Sequence, residues 1–304
     1  MSNAVIAGVD MVKFAKPGQQ KPFREMASTA IRGAVADAGI EPSLIEQAYG
    51  SYIYGDSTCA QHALYDAFMT GIPVINVNNN CSSGSTAIFM ARQAVQSGAV
   101  ECALAFGFEE MQPGALGSHW DDRESPFENF FRVLDQNNYP EAPLALRCFG
   151  AAGHHYMEKY GASADLFAKV AVKTRNHAAV NPFALFTSEL TVEEVMASPV
   201  LYMDYLTRLM CCPPTCGAGA AVICSDSFAS RHGISTGVEI VSQAMATDTP
   251  ATWDDPINLV GADMTRRAAQ LVYEQAGIGV EEVDVVELHD CFTTNEVITY
   301  EGLG

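Results

Sequence analysis

The segment Asn76-Val77-Asn78-Asn79-Asn80-Cys81-Ser82-Ser83-Gly84-Ser85 sets a cysteine between an apolar run and a stretch of small residues suited to opening a helix. At a helix start the backbone N–H groups point outward and the dipole favours negative charge, so Cys81 is expected to gain thiolate character. The thiolate is the nucleophilic form, and the same N–H groups could hold an oxyanion on a thioester or ketone carbonyl. The residues leave one alternative open, a small structural cysteine beside an Asn-rich turn.

A second cluster, Val285-Val286-Glu287-Leu288-His289-Asp290-Cys291-Phe292-Thr293-Thr294-Asn295-Glu296, reads as a strand breaking into a polar turn and then a helix. His289 and Cys291 alternate along extended chain, so they project toward one side, where a donor and an acid/base thiol could share a pocket. Satisfied structural residues fit the same spacing. A third signal is electrostatic: Arg147, Lys159, Lys169, Lys173 and Arg175 are answered between residues 147 and 177 only by Glu158 and Asp165. Lys169, Lys173 and His177 share one helix face. The patch could receive a small polyanion such as the phosphates of coenzyme A, with Lys169, Lys173 and Arg175 as the candidate ligands and an ordinary solvated helix face as the alternative. No metal site is expected, since Cys211, Cys212 and Cys216 lack a fourth partner nearby and no C-x-x-C or matched His pair supplies four ligands. Nor is there a G-x-G-x-x-G or P-loop motif to hold a nucleotide.

The elements that must position these residues alternate. Residues 3–9 read as a strand, 23–38 as an amphipathic helix closed by Gly39, 48–54 as a strand, 65–69 as part of a short helix and 73–77 as a buried strand. A helix over 83–96 is closed by Gly98, and 101–108 resumes as strand. Such alternation favours an α/β sheet. From residue 117 prolines, aromatics and helical stretches such as 164–179 mark an inserted, mostly helical subdomain. Residues 211–224 could return to the first sheet, 238–246 should start another strand, and 263–275 another helix. The expected organisation is 1–116 as a first half, 117–208 as a loop domain, 209–235 as the return strand and helix, and 236–304 as a second half. Ala38-Gly39-Ile40 with Ile45 and Glu46 is echoed by Ala276-Gly277-Ile278 with Val283 and Asp284, which suggests duplication. On that alignment the second copy stops before any counterpart of the strand, helix, strand block over 73–108.

The 304 residues are 48% hydrophobic and 17% charged, a composition for a folded protein of about two domains. Lys and Arg number 17 against 36 Asp and Glu, and a net charge of −19 repels a phosphate polymer, so nucleic acid is not expected as a partner. No run is long and apolar enough for a membrane span, and the opening residues lack a secretory signal. Nine scattered cysteines fit a reducing compartment, and a cytoplasmic location is expected.

Taken together, four blocks resemble the thiolase superfamily, in particular the thiolase portion of sterol carrier protein X and its bacterial lipid-transfer-protein and acetyl-CoA acetyltransferase relatives. They are Gly55-Asp56-Ser57-Thr58-Cys59, Gly71-Ile72-Pro73 through Cys81-Ser82-Ser83-Gly84-Ser85-Thr86-Ala87, Tyr156-Met157-Glu158-Lys159-Tyr160-Gly161 and Glu287-Leu288-His289-Asp290-Cys291-Phe292. The resemblance implies a duplicated αβα layered fold with an inserted, mostly helical loop domain that binds coenzyme A, and a homodimer. It implies acyl transfer in lipid metabolism and fatty acid β-oxidation: Cys81 takes the acyl group, His289 helps form an oxyanion hole and Cys291 moves the proton at the acetyl carbon. Coenzyme A and acyl-CoA are then substrates, with no permanently bound cofactor. A lipid-transfer protein is the expected partner, and a eukaryotic member would be peroxisomal.

Two departures qualify the resemblance. The family continues to a Gly-His-Pro segment, whose histidine activates the nucleophile, and to a glycine-rich segment contributing to a second oxyanion hole; neither is in this sequence. The second half is thus expected to be incomplete, and the 304 residues by themselves to be a slow enzyme, general-base help being worth about 10²–10⁴-fold. Cys216 also stands before Gly217 where the eukaryotic pattern has Asp. Two competing expectations remain beside acyl transfer: a non-catalytic acyl-CoA or lipid-binding protein, and a retro-aldol lyase acting on a steroid side-chain CoA ester, against which the intact Cys81 argues.

Overall fold

The computed structural model describes residues 3–112, 120, 122–235 and 237–304. The expected boundary between residues 116 and 117 lies outside the described residues. In chain order the strands are β1 (Ala4–Met11), β2 (Gln47–Ser51), β3 (Val74–Val77), β4 (Cys102–Glu109), β5 (Val200–Tyr202), β6 (Leu206–Thr207), β7 (Gly217–Ser225) and β8 (Val238–Glu239). The helices are α1 (Phe23–Ala38), α2 (Cys59–Ala67), α3 (Ser83–Gln96), α4 (Glu128–Gln136), α5 (Leu144–Tyr160), α6 (Asp165–Ala179), α7 (Val192–Ala197), α8 (Asp226–His232), α9 (Ala262–Ala276) and α10 (Thr293–Leu303). The chain divides into two compact units, one of residues 1–113 with 214–241 and one of residues 114–213 with 242–304.

The first unit is a six-stranded mixed sheet in the order β3-β2-β4-β7-β1-β8. Strands β2, β3 and β4 are parallel, while β7 runs antiparallel to both β4 and β1. Because side chains alternate along a strand, β4 and β7 feed two cores. Leu104, Phe106, Val222 and Cys224 pack with Ile31, Ala34 and Val35 of α1 and Leu64 of α2. Ala103, Ala105, Ala221 and Ile223 point the other way, against Ala87, Ala91 and Val95 of α3. The result is a helix, sheet, helix sandwich. Helix α1 follows its 3.6-residue pattern, burying Met26, Ala30, Ile31, Ala34 and Val35, and ends at Gly39 in the left-handed conformation at φ 66°.

The short helix expected to include residues 65–69 is α2, which starts at Cys59 and ends at Ala67, so that residues 68 and 69 fall outside it as Phe68 turns extended. The strand expected over 238–246 contracts to Val238–Glu239, which pairs with β1 at the edge of the first sheet. Helical packing dominates the second unit, with a two-stranded β5–β6 ribbon and a core around Phe167, Tyr205, Leu206, Met210, Val297 and Ile298. The duplication seen in sequence has a local counterpart: α1 ends at left-handed Gly39 before a 3-10 turn at Pro42–Leu44, and α9 ends at left-handed Gly277 before a 3-10 turn at Val280–Glu282. In the first copy strand β2 follows; in the second, residues 283–290 are irregular, with Val285 77% exposed. An extended segment becomes a strand only by pairing its backbone, and among the described residues these find no ladder partner.

At the β-bulge in β1, Gly8 passes so close to α1 that an added Cβ would lie 2.3 Å from the Ala38 nitrogen and 2.4 Å from the Ala34 oxygen. Neither backbone atom can swing away. Gly8→Ala is expected to cost about 1–3 kcal/mol or more through overpacking, read as a lower urea midpoint at unchanged m-value.

Candidate active site

Cys81 follows β3 and directly precedes the α3 N-cap, Ser82. The turn forms because Asn80 accepts the left-handed conformation at φ 48°, for which Asn is among the best non-glycine residues. Side chains then fasten it. The Asn79 N–H donates to Ser83 Oγ at 2.8 Å, Ser83 Oγ donates to the Asn80 carbonyl at 2.6 Å, and Asn79 Nδ2 donates to Thr86 Oγ1 at 3.0 Å. Ser82 Oγ donates to the Asn79 carbonyl at 2.8 Å. The run of Asn and Ser around Cys81 is thus the scaffold of the turn.

Cys81 lines a cavity of about 480 Å³ together with Phe14, Ser51, Tyr52, Phe108, Glu109 and residues 215–219. Although the residue is exposed, the protein around its sulfur desolvates the thiolate and pushes the thiol upward, with the Cys81 backbone N–H opposing. Desolvation wins. The start of α3 alone therefore leaves the sulfur protonated near neutral pH, contrary to the thiolate character expected from its place in the sequence. Glu109, in the same cavity, is missed by spacing arguments, though a charged residue closing a strand as apolar as β4 is a readable signal. Its carboxylate accepts the Ile53 N–H at 3.0 Å and the Glu110 N–H at 3.2 Å, yet burial pushes its pKa up. Cys216 is fully buried and donates to the Met111 carbonyl at 3.6 Å.

His289 and Cys291 belong to the second unit. Although His289 is exposed, desolvation by the protein around its ring lowers its pKa, which favours neutral imidazole. Cys291 is 9% exposed, and its carbonyl accepts the Cys212 N–H at 2.9 Å. Between them Asp290 turns inward, where Oδ2 accepts from Thr174 Oγ1 at 3.1 Å and Oδ1 is buried without a hydrogen-bond partner. Burial first, then the neighbouring Glu296, pushes Asp290 up to about 7. Asn295 Nδ2 holds the His289 carbonyl at 2.6 Å.

The cationic stretch changes meaning in three dimensions. Arg147 is buried against Asp135 at 2.6 Å, Lys159 meets Asp255 at 2.8 Å and Lys169 meets Asp165 at 2.8 Å. Lys173 is ion-paired with Glu296, whose side chain is 2% exposed. Arg175 stacks over the Phe186 ring at 4.7 Å and reaches the Ser188 carbonyl at 3.4 Å. Counting charge along residues 147–177 overlooked Asp135, Asp255 and Glu296 because they lie outside that stretch, Asp255 and Glu296 far from it. Among the described residues no cluster of three His, Cys, Asp or Glu side chains could hold a metal ion.

The fold is that of thiolases. A solved Ltp2–ChsH2(DUF35) aldolase superposes over 99% of this chain and 77% of its own with a TM-score of 0.81 at 22% identity. An acetyl-CoA acetyltransferase from Syntrophomonas wolfei does so over 100% and 83% with a TM-score of 0.74 at 15% identity. Residues 4–199 match the thiolase N-terminal domain and residues 233–304 a thiolase C-terminal domain-like region. Sterol carrier protein 2 of Rattus norvegicus is 46% identical over 98% of this chain and 56% of its own length. Benzoylsuccinyl-CoA thiolase subunit BbsB of Thauera aromatica is 32% identical over 98% and 74%. The chain belongs to the thiolase family, and it spans little more than half the length of the sterol carrier protein 2 relatives.

Two titrations test this geometry. Alkylation of the Cys81 peptide by iodoacetamide should accelerate with a midpoint above the ordinary cysteine range of about 8.5; a midpoint below 7 would mean that the helix start prevails over desolvation. Asp290 holds its proton in the folded state up to about pH 7, whereas in the unfolded chain it ionises near 3.9. The folded state therefore binds more protons across that window, and stability falls as pH rises through it. Asp290→Asn should remove that component, flattening the urea midpoint between about pH 4 and pH 7, and an unchanged slope would contradict it.

Proposed function

We propose that this chain performs thiolase-type acyl transfer on a 3-ketoacyl-CoA of lipid or sterol side-chain metabolism, through an acyl-cysteine intermediate on Cys81. The observation that carries the reading is the position of Cys81, held by a stapled turn at the opening of α3 and facing a cavity of about 480 Å³. In the degradative direction the Cys81 sulfur attacks the 3-keto carbon and its proton leaves to a base. The bond between carbons 2 and 3 then breaks, and its electron pair departs with the acetyl-CoA portion, which Cys291 protonates at carbon 2. A neutral His289 donates to the thioester oxygen as the enolate forms. The thiol of a second coenzyme A attacks acyl-Cys81 and releases the shortened acyl-CoA, so one difficult cleavage becomes two steps.

The cysteine itself separates this reading from a retro-aldol cleavage, which needs no nucleophile at position 81. One observation favours a second reading, acyl-CoA binding without turnover: burial keeps the Cys81 thiol protonated, so chemistry requires a base at the sulfur. Arg175, lacking a carboxylate partner among the described contacts, is the proposed phosphate contact for coenzyme A; Lys169, earlier on the same helix, already pairs with Asp165. A homodimer, a lipid-transfer partner and a cytoplasmic location, or a peroxisomal one in a eukaryote, complete the proposal. Among the described residues no helix is long and apolar enough to cross a membrane.

Acid quenching of the full-length protein with acetoacetyl-CoA, followed by peptide mass mapping, should reveal an acetyl group on the Cys81 peptide. Cys81→Ala should lose the adduct and at least about 10³-fold in kcat. Turnover that survives this substitution would shift the assignment to the lyase, and an absence of both adduct and turnover in the unmodified protein to the binding reading.

A further inference from the structure

We infer that Lys173 and Glu296 form a positioning pair that fixes the turn carrying His289 and Cys291, and that Lys173 is not a coenzyme A phosphate ligand. The inference rests on the acyl-transfer reading. Lys173 projects from α6 to the Glu296 carboxylate on α10 and donates to Tyr300 Oη at 2.7 Å, while Tyr300 Oη itself donates to Glu296. One residue further along α6, Thr174 Oγ1 lies 3.1 Å from Asp290 Oδ2 and 3.5 Å from Glu296 Oε2. Two carboxyl groups thus converge beneath the turn with one ammonium between α6 and α10. If both ionise they leave a negative excess in a desolvated place, so Asp290 gives up its proton less readily than a free carboxyl, and Lys173 offsets the Glu296 charge.

Two further hydrogen bonds hold the turn beside this cluster. Asn295, next to Glu296, holds the His289 carbonyl, and the Cys212 N–H holds the Cys291 carbonyl. Without the ammonium, the buried Glu296 carboxylate is left without its counter-charge beside Asp290, and Asp290 sits between the two residues that must meet substrate. A phosphate would have to draw Lys173 away from a carboxylate that is 2% exposed, leaving a buried charge unpaired.

The test is Lys173→Met and Lys173→Arg in the full-length protein, assayed with acetoacetyl-CoA and either CoA or dephospho-CoA. Positioning predicts that Lys173→Met loses about 10²-fold in kcat, as misplacement of reacting groups does. The KM for CoA should change less than about twofold, the preference for CoA over dephospho-CoA should persist, and Lys173→Arg should restore most of kcat. A KM for CoA raised about tenfold at constant kcat, with that preference lost, would overturn the inference in favour of phosphate binding, as would a Met variant with unchanged constants. Should Lys173→Met not fold by circular dichroism, Glu296→Gln must show the same loss of kcat at constant KM. If the unmodified protein has no turnover, the acyl-transfer reading falls separately. Iodoacetamide labelling of Cys291 then decides positioning, which requires faster labelling in Lys173→Met than in the parent and is overturned by equal rates.

Discussion

Eight consecutive residue pairs join β4 to β7, from Cys102 opposite Cys224 to Glu109 opposite Gly217, and both strands are buried on both faces. Backbone polar groups at that depth have no water to turn to, so the ladder must satisfy them. Everything in the first unit depends on this pairing. The α1 face takes large side chains such as Leu104, Phe106 and Val222, while the α3 face takes Ala103, Ala105 and Ala221. Small residues let α3 approach the sheet closely, and that approach fixes where its first turn, and therefore Cys81, is presented.

The same strands make room for a substrate by omission. Gly107 of β4, Gly217 and Gly219 of β7 and Gly84 of α3 all line the cavity at Cys81. At Gly107 a Cβ would come 2.5 Å from Ser51 Oγ, and at Gly217 it would come 2.4 Å from the Phe14 ring. The cavity is thus bounded by backbone where side chains would fill it. Its walls carry a chemical consequence, because the protein that shapes the space also desolvates the sulfur and Glu109. Burial raises both pKa values against the local N–H groups that would lower them, so a proton must be moved before Cys81 can attack.

In the second unit the organising constraint is a buried carboxylate. Glu296 is answered by Lys173, Tyr300 and Thr174, and Asp290 joins it at the cost of ionising less readily. A desolvated charge is tolerated only when paired and hydrogen-bonded, and the pairing draws α6, α10 and the His289–Cys291 turn into one arrangement.

Much of this was legible from the residues. The 3.6-residue rhythm over 23–38 and 83–96, closed by Gly39 and Gly98, marks α1 and α3 to the residue, because helices depend on local periodicity and end signals. The Asn-Asn-Asn-Cys and His-Asp-Cys-Phe blocks pointed to the thiolase family, to which the chain belongs. The extended stretch over 283–290 was not decidable locally, since a strand exists only through a neighbour elsewhere in the chain. Nor was the cationic stretch, where Lys173 has the spacing of a phosphate ligand and the contacts of an ion pair. Sequence by itself determined the class of fold, the family and where the candidate nucleophile stands, because those follow from local pattern and side-chain identity. Tertiary structure decided which charges remain available, which thiol is desolvated and where an extended segment finds a ladder, because each depends on groups far away in the chain.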